Sequence, residues 1–200
     1  MPFTVSHVAA VVPAYRPLAR AHLFSAALIG SMVPDFGVLL PGNFERWQTH
    51  SVLGLFLFCV PVGLLAYALT QTLIKPALME VLPDRIYLRM RTDHPPVALN
   101  RLSTWLFAAL AVLGGAFTHL VWDGFTHENA RGVHFLPFLD DYGPEMAGHA
   151  LRLYRWLQYG SSLLGLLVVA LALALWLHHA PRSAAAPLQP DRRMHRLVSW

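Results

Sequence analysis

Long apolar runs constrain the fold of this chain more than any other feature of its sequence. Residues 51–74, 102–122 and 159–177 contain no Asp, Glu, Lys or Arg. A helix of about 20 apolar residues crosses the hydrocarbon core of a bilayer, so each run is long enough to span a membrane. Only 13% of the 200 residues are charged, against about 25% in soluble domains. The sequence therefore predicts an integral membrane protein.

A fourth apolar segment, residues 21–40, is interrupted by Asp35 directly after Pro34. Proline lacks the amide proton and clashes with the preceding turn, so we expect a helix to about Val33 and irregular backbone after it. Residues 5–33 then predict a helical hairpin whose first arm is too short to span. The predicted fold is all-α: a polytopic α-helical membrane bundle with about four membrane helices and a short N-terminal helix.

The segments between the runs are less regular. We predict a polar connection over residues 75–101, a loop over residues 128–145, and an amphipathic helix over residues 146–158 that can continue into the last span. Residues 1–178 then form a single membrane-embedded domain. Residues 179–200, rich in Ala, Pro and Arg, form a disordered tail.

Basic residues are distributed unevenly among these connections. Eleven of the 15 lie in the hairpin turn, the 75–101 connection and the tail, and four lie in the segments at the opposite helix ends. Because cytoplasmic loops carry an excess of Lys and Arg, we expect a multi-pass protein of the cell's inner membrane with a cytoplasmic tail. The basic residues form no single tract with interleaved aromatics, which argues against nucleic acid as a partner.

Histidine and aspartate recur at the end of one apolar run, in the stretch FTHLVWDGFTH. His119 and Asp123 are four residues apart, so they lie on one face of a helix. His127 continues that face unless Gly124 ends the helix first. The spacing predicts side chains that can point at one object.

Other polar residues belong to the same end of the bundle. The antiparallel arms of the hairpin bring His7 near Asp35, and antiparallel spans bring His50, at the start of one, near Asp123, at the end of the next. The residues expected to converge on one membrane face are His7, Asp35, His50, His119, Asp123 and His127.

Four imidazoles and two carboxylates without a competing cysteine suit a divalent transition metal, above all Zn²⁺, with Mn²⁺ or Fe²⁺ as alternatives. Six ligands exceed one tetrahedral zinc, so one or two ions are expected. Two ions about 3.5–4 Å apart suit phosphoester hydrolysis.

The ordinary alternatives are interfacial histidines and, for Asp35, a cap of the following segment. Because carboxylates near a membrane are costly, their convergence with histidines favours the metal site.

The same residues carry a resemblance to a known family. The stretches MPFTVSHVAAVVP, IGSMVPDF, THSVLGLFLF, FTHLVWDGFTH and LQYGSSLLGL resemble the bacterial membrane family called domain of unknown function 4184, over most of residues 1–178. More distantly, the order of the motifs is similar to inner-membrane metal-dependent hydrolases and zinc-dependent phospholipase C. That resemblance implies the metal ligands His7, Asp35, His50, His119 and Asp123. The phospholipase adds a later His-x-x-x-Glu. Here Leu153 stands at that spacing after His149, so a third metal is not implied.

Two functions stay open at this point. One is a metal-dependent hydrolase acting on a phosphoester of a lipid or envelope precursor, with Asp35 or Asp123 as the catalytic base and a membrane lipid or lipid-linked molecule as substrate. The other is a non-enzymatic membrane protein, a transporter or scaffold whose polar cluster is structural or binds a metal. No charge interrupts residues 51–74 or 159–177, which argues against a continuous transport path.

The charge asymmetry predicts that the tail is cytoplasmic and that the His50 and Asp123 ends face the extracytoplasmic side. We expect a reporter active only in the cytoplasm to work when fused at Arg182 and to fail at Asp140. A reporter active only outside the cytoplasm serves as the reciprocal control. Activity of that second reporter at Arg182 would show that the orientation is reversed.

Overall fold

The fold is almost entirely helical. A computed structural model describes residues 3–42, 44–93 and 97–179. In chain order its elements are 3₁₀ helices Thr4–Ala10 and Val12–Ala14, α1 (Tyr15–Arg20), α2 (Phe24–Gly30), 3₁₀ helix Val33–Val38, α3 (Arg46–Thr49), α4 (Val52–Val81), α5 (Asp84–Asp93), α6 (Leu102–Thr126), α7 (Arg131–Phe135), 3₁₀ helix Pro137–Asp140, β1 (Tyr142–Met146), β2 (His149–Arg152) and α8 (Leu153–His179). The predicted tail over residues 180–200 lies outside the described residues.

Three helices in the described part of the chain, α4, α6 and α8, are long and apolar enough to cross a membrane. Their outward surfaces are Leu- and Phe-rich, as lipid-facing surfaces are. Within α4, two π-helical stretches, Leu55–Cys59 and Thr70–Ile74, interrupt the α-helical hydrogen bonding without ending the helix. The predicted all-α membrane fold is confirmed.

The fourth apolar segment, residues 21–40, is not one helix. The expected helix ends at Gly30, not near Val33, and a 3₁₀ helix with Pro34 in its first turn follows. The seven residues of α2 rise only about 10 Å, roughly a third of a bilayer core. α2 is therefore too short to be the fourth membrane helix that the sequence predicts. The short N-terminal helix is also a 3₁₀ helix, Thr4–Ala10.

α2 nonetheless runs lengthwise inside the bundle. Near its start, the Ser25 hydroxyl accepts a hydrogen bond of 2.8 Å from Gln71, deep in α4. Just after its end, the Ser31 carbonyl lies 2.8 Å from a ring nitrogen of His119 near the end of α6. The hairpin thus turns at the far end of the bundle and returns its chain to the end where the polar cluster lies.

Small residues let α2 and α6 touch backbone to backbone. A Cβ added at Gly115 would overlap the carbonyl oxygen of Ala27, and one at Gly30 would overlap the carbonyl oxygen of Val112. Close packing of small residues is a usual way for membrane helices to associate, because lipid supplies no hydrophobic drive between them. The contact sets the position of Ser31, and with it the environment of His119.

A second close contact positions the N-terminal 3₁₀ helix. A Cβ at Gly165 of α8 would lie 2.7 Å from the carbonyl oxygen of Ser6. Gln158 and Ser162, on the same helix, are also buried. α8 therefore presses the first 3₁₀ helix into the bundle and holds His7 against α6.

The connections are more structured than predicted. The 75–101 segment continues α4 and then forms α5, and the 128–145 segment contains α7, a 3₁₀ turn and β1. Residues 146–152 are not helical, because Met146 pairs with His149 in an antiparallel hairpin. Ala147 and Gly148 both have positive φ, as a two-residue turn of this kind requires. From Leu153 onward the predicted helix is continuous with the last span.

The glycine contact predicts opposite effects at two adjacent positions. Gly115→Ala places a methyl group against the α2 backbone and should destabilise the protein by about 1–3 kcal/mol. At Gly114 an added Cβ meets nothing within 4 Å. Gly114→Ala should therefore be neutral or stabilising by up to about 1 kcal/mol, through helix propensity alone. Thermal melting of both variants in the same detergent is the measurement. Equal melting temperatures would contradict the proposed packing.

Candidate metal centre

Four separate elements bring their polar side chains to one buried point. His7 comes from the first 3₁₀ helix, Asp35 from the 3₁₀ helix after α2, and His50 from the residue that follows α3. His119 and Asp123 come from α6. Their side chains are at most 9% exposed, although the cluster lies near the ends of the helices. The predicted convergence of these five residues is present in the structure.

His119 is the central imidazole of the cluster and is fully buried. Its Nδ1 lies 2.8 Å from the Ser31 carbonyl oxygen. A carbonyl oxygen can only accept a hydrogen bond, so Nδ1 carries the proton and the lone pair is on Nε2. That Nε2 lies 3.6 Å from Asp35 Oδ1 and 3.5 Å from Asp123 Oδ2. The backbone of α2 thus fixes both the tautomer and the direction of this ring.

His50 has an equivalent arrangement. Its Nδ1 lies 2.7 Å from the Thr49 hydroxyl, which itself donates to the carbonyl of Arg46. In the tautomer with the proton on Nδ1, the hydroxyl accepts from Nδ1–H and Nε2 has a free lone pair, which is the form that binds a metal. The Nε2 of His50 lies 3.3 Å from Asp35 Oδ1 and 3.5 Å from Asp123 Oδ2.

His7 completes the set of imidazoles by stacking on His119, with ring centroids 3.7 Å apart. Its Nε2 lies 3.6 Å from Asp123 Oδ1. Burial, together with repulsion from His119 whenever that ring is protonated, lowers the pKa of His7 to about 4. His7 is therefore neutral near pH 7, which is the form of histidine that binds metal.

The two carboxylates are held from outside the cluster. Asp35 Oδ2 accepts a 2.6 Å hydrogen bond from Thr4, and Met32, not Asp35, caps the 3₁₀ helix that contains it. Burial acts to raise the pKa of this carboxyl. The imidazoles of His50 and His119 and the Thr4 hydroxyl outweigh that effect, so its pKa lies below the usual value.

Asp123 is held by an arginine. Its Oδ2 accepts a hydrogen bond of 2.7 Å from Arg46 Nη2, so one oxygen has a charged partner. The other oxygen, Oδ1, faces His7 without a hydrogen-bond partner in the described part of the chain. The Arg46 side chain is 47% exposed and reaches the cluster from the solvent side.

Four buried atoms of the cluster lack a hydrogen-bond partner among the described residues: the Nε2 atoms of His7, His50 and His119, and Asp123 Oδ1. Leaving a buried polar group unsatisfied costs about 1–3 kcal/mol, so such atoms are usually found where a ligand binds. Divalent cations suit such atoms, since neutral imidazole nitrogens and carboxylate oxygens are their preferred ligands.

The distances also suit a metal. The Nε2 atoms of His50 and His119 each lie 3.3–3.6 Å from Asp35 Oδ1 and from Asp123 Oδ2. Ligand atoms about 2.0–2.2 Å from a tetrahedral zinc are about 3.3–3.6 Å apart. Two candidate ligand groups, His7 with His119 and Asp123, and Asp35 with His50 and His119, share the His119 nitrogen. A single lone pair binds a single ion, which favours one principal metal.

His127 differs from the other five residues. α6 continues through Gly124 to Thr126, so His127 does lie beside Asp123, with its Nδ1 3.5 Å from Oδ1. Both of its ring nitrogens, however, have other partners. The Gln158 amide lies 3.1 Å from Nε2, and the Thr126 hydroxyl lies 3.2 Å from Nδ1. His127 belongs to neither candidate ligand group, and its role as a ligand stays a prediction.

The pattern of histidines and aspartates did not reveal the residues that support the cluster. In the sequence, Arg46 is informative only as a charge that indicates orientation. No motif marks Thr4, Thr49 or Gln158. The Ser31 contribution is a backbone carbonyl, which no side-chain pattern can signal. These partners become visible only when the packing of α2, α3 and α8 around α6 is known.

A large cavity opens beside the cluster. Its volume is about 1090 Å³, and it lies between α4 and α6. Arg46, His50, Asp123 and His127 line one end, whereas Asp35 does not line it. The cluster is thus reachable from the cavity on its Asp123 side.

Comparison with known proteins gives a family but no activity. A family model described as Domain of unknown function (DUF4184) matches residues 1–198. The resemblance seen in the sequence is confirmed, and the match extends past residue 178 into the tail. No curated protein and no solved structure is significantly similar to the chain. The distant resemblance to metal-dependent hydrolases and zinc-dependent phospholipase C stays a prediction.

The geometry predicts that the purified protein carries a stoichiometric transition metal. His119→Ala and Asp123→Ala should each lose most of it, because affinity depends on the complete ligand set. His134→Ala, which changes an exposed histidine of α7 outside the cluster, is the matched control and should retain it. Mass-spectrometric metal analysis after purification without chelators is the measurement. A metal-free wild type, or ligand variants with full metal content, would mean that the cluster is structural.

Proposed function

Because the chain belongs to the DUF4184 family, whose description names no activity, we propose a function from the site itself. The protein is a membrane-embedded metal-dependent hydrolase that cleaves a phosphoester of a lipid or lipid-linked envelope precursor. One observation carries this proposal: three buried imidazoles direct unpartnered Nε2 atoms at two carboxylates. Metal-binding histidines usually donate their other ring N–H to an oxygen acceptor, as His119 does to the Ser31 carbonyl, and the Thr49 hydroxyl beside His50 Nδ1 can serve as such an acceptor.

The residues that would hold the metal are His7, Asp35, His50, His119 and Asp123. Zn²⁺ fits this nitrogen and oxygen donor set best, and Mn²⁺ or Fe²⁺ are the alternatives. Bound there, a divalent metal supplies a Lewis acid and lowers the pKa of water to about 7, which makes hydrolysis practicable at neutral pH.

The protein's own groups supply the remaining chemistry. Asp123 lines the cavity and Asp35 does not, so Asp123 is the carboxylate nearer to an entering substrate, and an oxygen of Asp123 that is not bound to the metal would accept the proton of the attacking water. The water oxygen bonds to phosphorus, the bond from phosphorus to the leaving oxygen breaks, and the accepted proton passes to that oxygen. The exposed guanidinium of Arg46, beside Asp123, is placed to bind the phosphate oxygens and stabilise their developing charge.

The membrane location fits a lipid-linked substrate. The cluster lies at the ends of α4 and α6, where a phosphate head group at the bilayer surface is within reach. The charge asymmetry of the sequence supports an extracytoplasmic location for this end, at the inner membrane. The substrate would then come from the outer leaflet of that membrane.

The alternative is a transporter or scaffold in which the cluster locks the helices or binds a metal without catalysis. A purely structural cluster is expected to satisfy its buried polar atoms internally, and four atoms here are not satisfied within the described residues. That difference favours a bound metal over a purely structural cluster, and the test below separates a hydrolase from a metal-binding transporter or scaffold.

The proposal predicts metal-dependent phosphoester cleavage by detergent-solubilised protein, measured by product release from phospholipids, lipid pyrophosphates and generic phosphodiesters. Activity should fall to background after chelation, return when Zn²⁺ is restored, and be absent from His119→Ala. His134→Ala is the control and should be active. If metal-loaded, monodisperse protein cleaves none of these substrates, nor ester and amide substrates, the protein is a transporter or scaffold.

A further inference from the structure

The cavity beside the metal centre extends far beyond it. Leu55 and Phe56 of α4 line one wall, and Leu110, Leu113 and Phe117 of α6 line the other. We call this surface the α4–α6 groove. Its walls belong to two helices that are long enough to span the membrane, and its lining is predominantly apolar.

The groove is open to the lipid side of the bundle. Phe56, Leu110 and Phe117, which line it, are each more than half exposed on the isolated chain. In a membrane, such surfaces of spanning helices contact hydrocarbon. A lipid chain can therefore enter the groove sideways from the bilayer without crossing water.

The groove is long enough for a hydrocarbon chain of one leaflet. From Asp123 to Leu110 the helix axis rises about 20 Å, about two-thirds of the roughly 30 Å hydrocarbon core. The groove thus begins at the polar cluster, at the membrane surface, and reaches past the middle of the bilayer. These dimensions suit one hydrocarbon chain that descends from a head group at the cluster.

The polar end of the groove has the charge to hold a phosphate. Arg46 and Arg131 line it, together with Glu128 and Asp123. With the metal of the proposed function bound, positive charge is in excess at this end. An anionic head group therefore complements the polar end, and a hydrocarbon chain complements the remainder.

We propose that the α4–α6 groove binds one hydrocarbon chain of an anionic phospholipid, whose phosphate lies against Arg46 beside the metal centre. The inference rests on the proposed function for the head group and deepens it by naming the substrate class. The lipid enters laterally from the membrane, and the groove selects long-chain phosphates over short-chain, water-soluble ones.

Gly114 lies in the lining of the groove and makes the inference testable. An added Cβ there meets no other group within 4 Å, whereas the adjacent Gly115 is packed against α2. Gly114→Leu therefore fills the groove without disturbing helix contacts. Gly160 of α8 is equally unhindered and does not line the groove, so Gly160→Leu is a matched control.

The experiment uses the full chain in phosphatidylcholine vesicles that contain a little phosphatidic acid with a photoactivatable group on one acyl chain. After illumination, peptide mass spectrometry should find the label concentrated on residues 110–117 and 52–56. Gly114→Leu should reduce that labelling by at least about fivefold, because the added side chain overlaps the bound hydrocarbon, and Gly160→Leu should leave it unchanged. A phosphatidylcholine probe with the same chain should label these residues less.

Each other outcome is decisive. Label spread evenly over α4, α6 and α8, or unaffected by Gly114→Leu, overturns the groove as a binding site. Equal labelling by the phosphatidylcholine probe overturns the requirement for an anionic head group. If labelling is as expected but no lipid is hydrolysed, the result supports the groove as a lipid-binding site and rejects the proposed hydrolase activity. Where hydrolysis occurs, Gly114→Leu should lose activity on long-chain substrates and keep it on a short-chain phosphate.

Discussion

The hydrogen bond from His119 to the Ser31 carbonyl is the interaction on which the rest of the site depends. It exists because Gly30 and Gly115 let the backbones of α2 and α6 meet, so that a carbonyl of one helix reaches a ring of the other. The bond fixes the tautomer of His119 and directs its free nitrogen at both carboxylates. This one contact therefore depends on the packing of α2 against α6 and also orients a candidate metal ligand.

The location of the cluster explains how a membrane protein can carry it. Two carboxylates in the middle of a span would be costly to bury, whereas these lie at the ends of helices, beside Thr4 and the partly exposed Arg46. The N-terminal 3₁₀ helix and the 3₁₀ helix after α2 bring His7 and Asp35 to this end of the bundle.

The candidate metal centre and the α4–α6 groove form one continuous surface that is polar at one end and apolar along the rest. Asp123 belongs to both, since it lies in the cluster and lines the cavity. A molecule that fits both parts has a phosphate at one end and a hydrocarbon chain at the other. Membrane lipids have this form, and the lateral opening suits molecules that diffuse within the bilayer.

The sequence by itself determined the membrane class, the three long apolar runs and the face shared by His119 and Asp123, because bilayer thickness and helical periodicity act through residue spacing alone. It also predicted a fourth membrane helix, which the short α2 does not provide. Antiparallel connectivity also predicted that His7, Asp35 and His50 meet them. Spacing could not reveal the early end of α2, the hairpin from Tyr142 or the support from Arg46. Only the tertiary structure decided which ring nitrogens are free and where the groove opens. Those features depend on the crossing distances of helices and the directions of individual side chains, and contacts between distant parts of the chain set both.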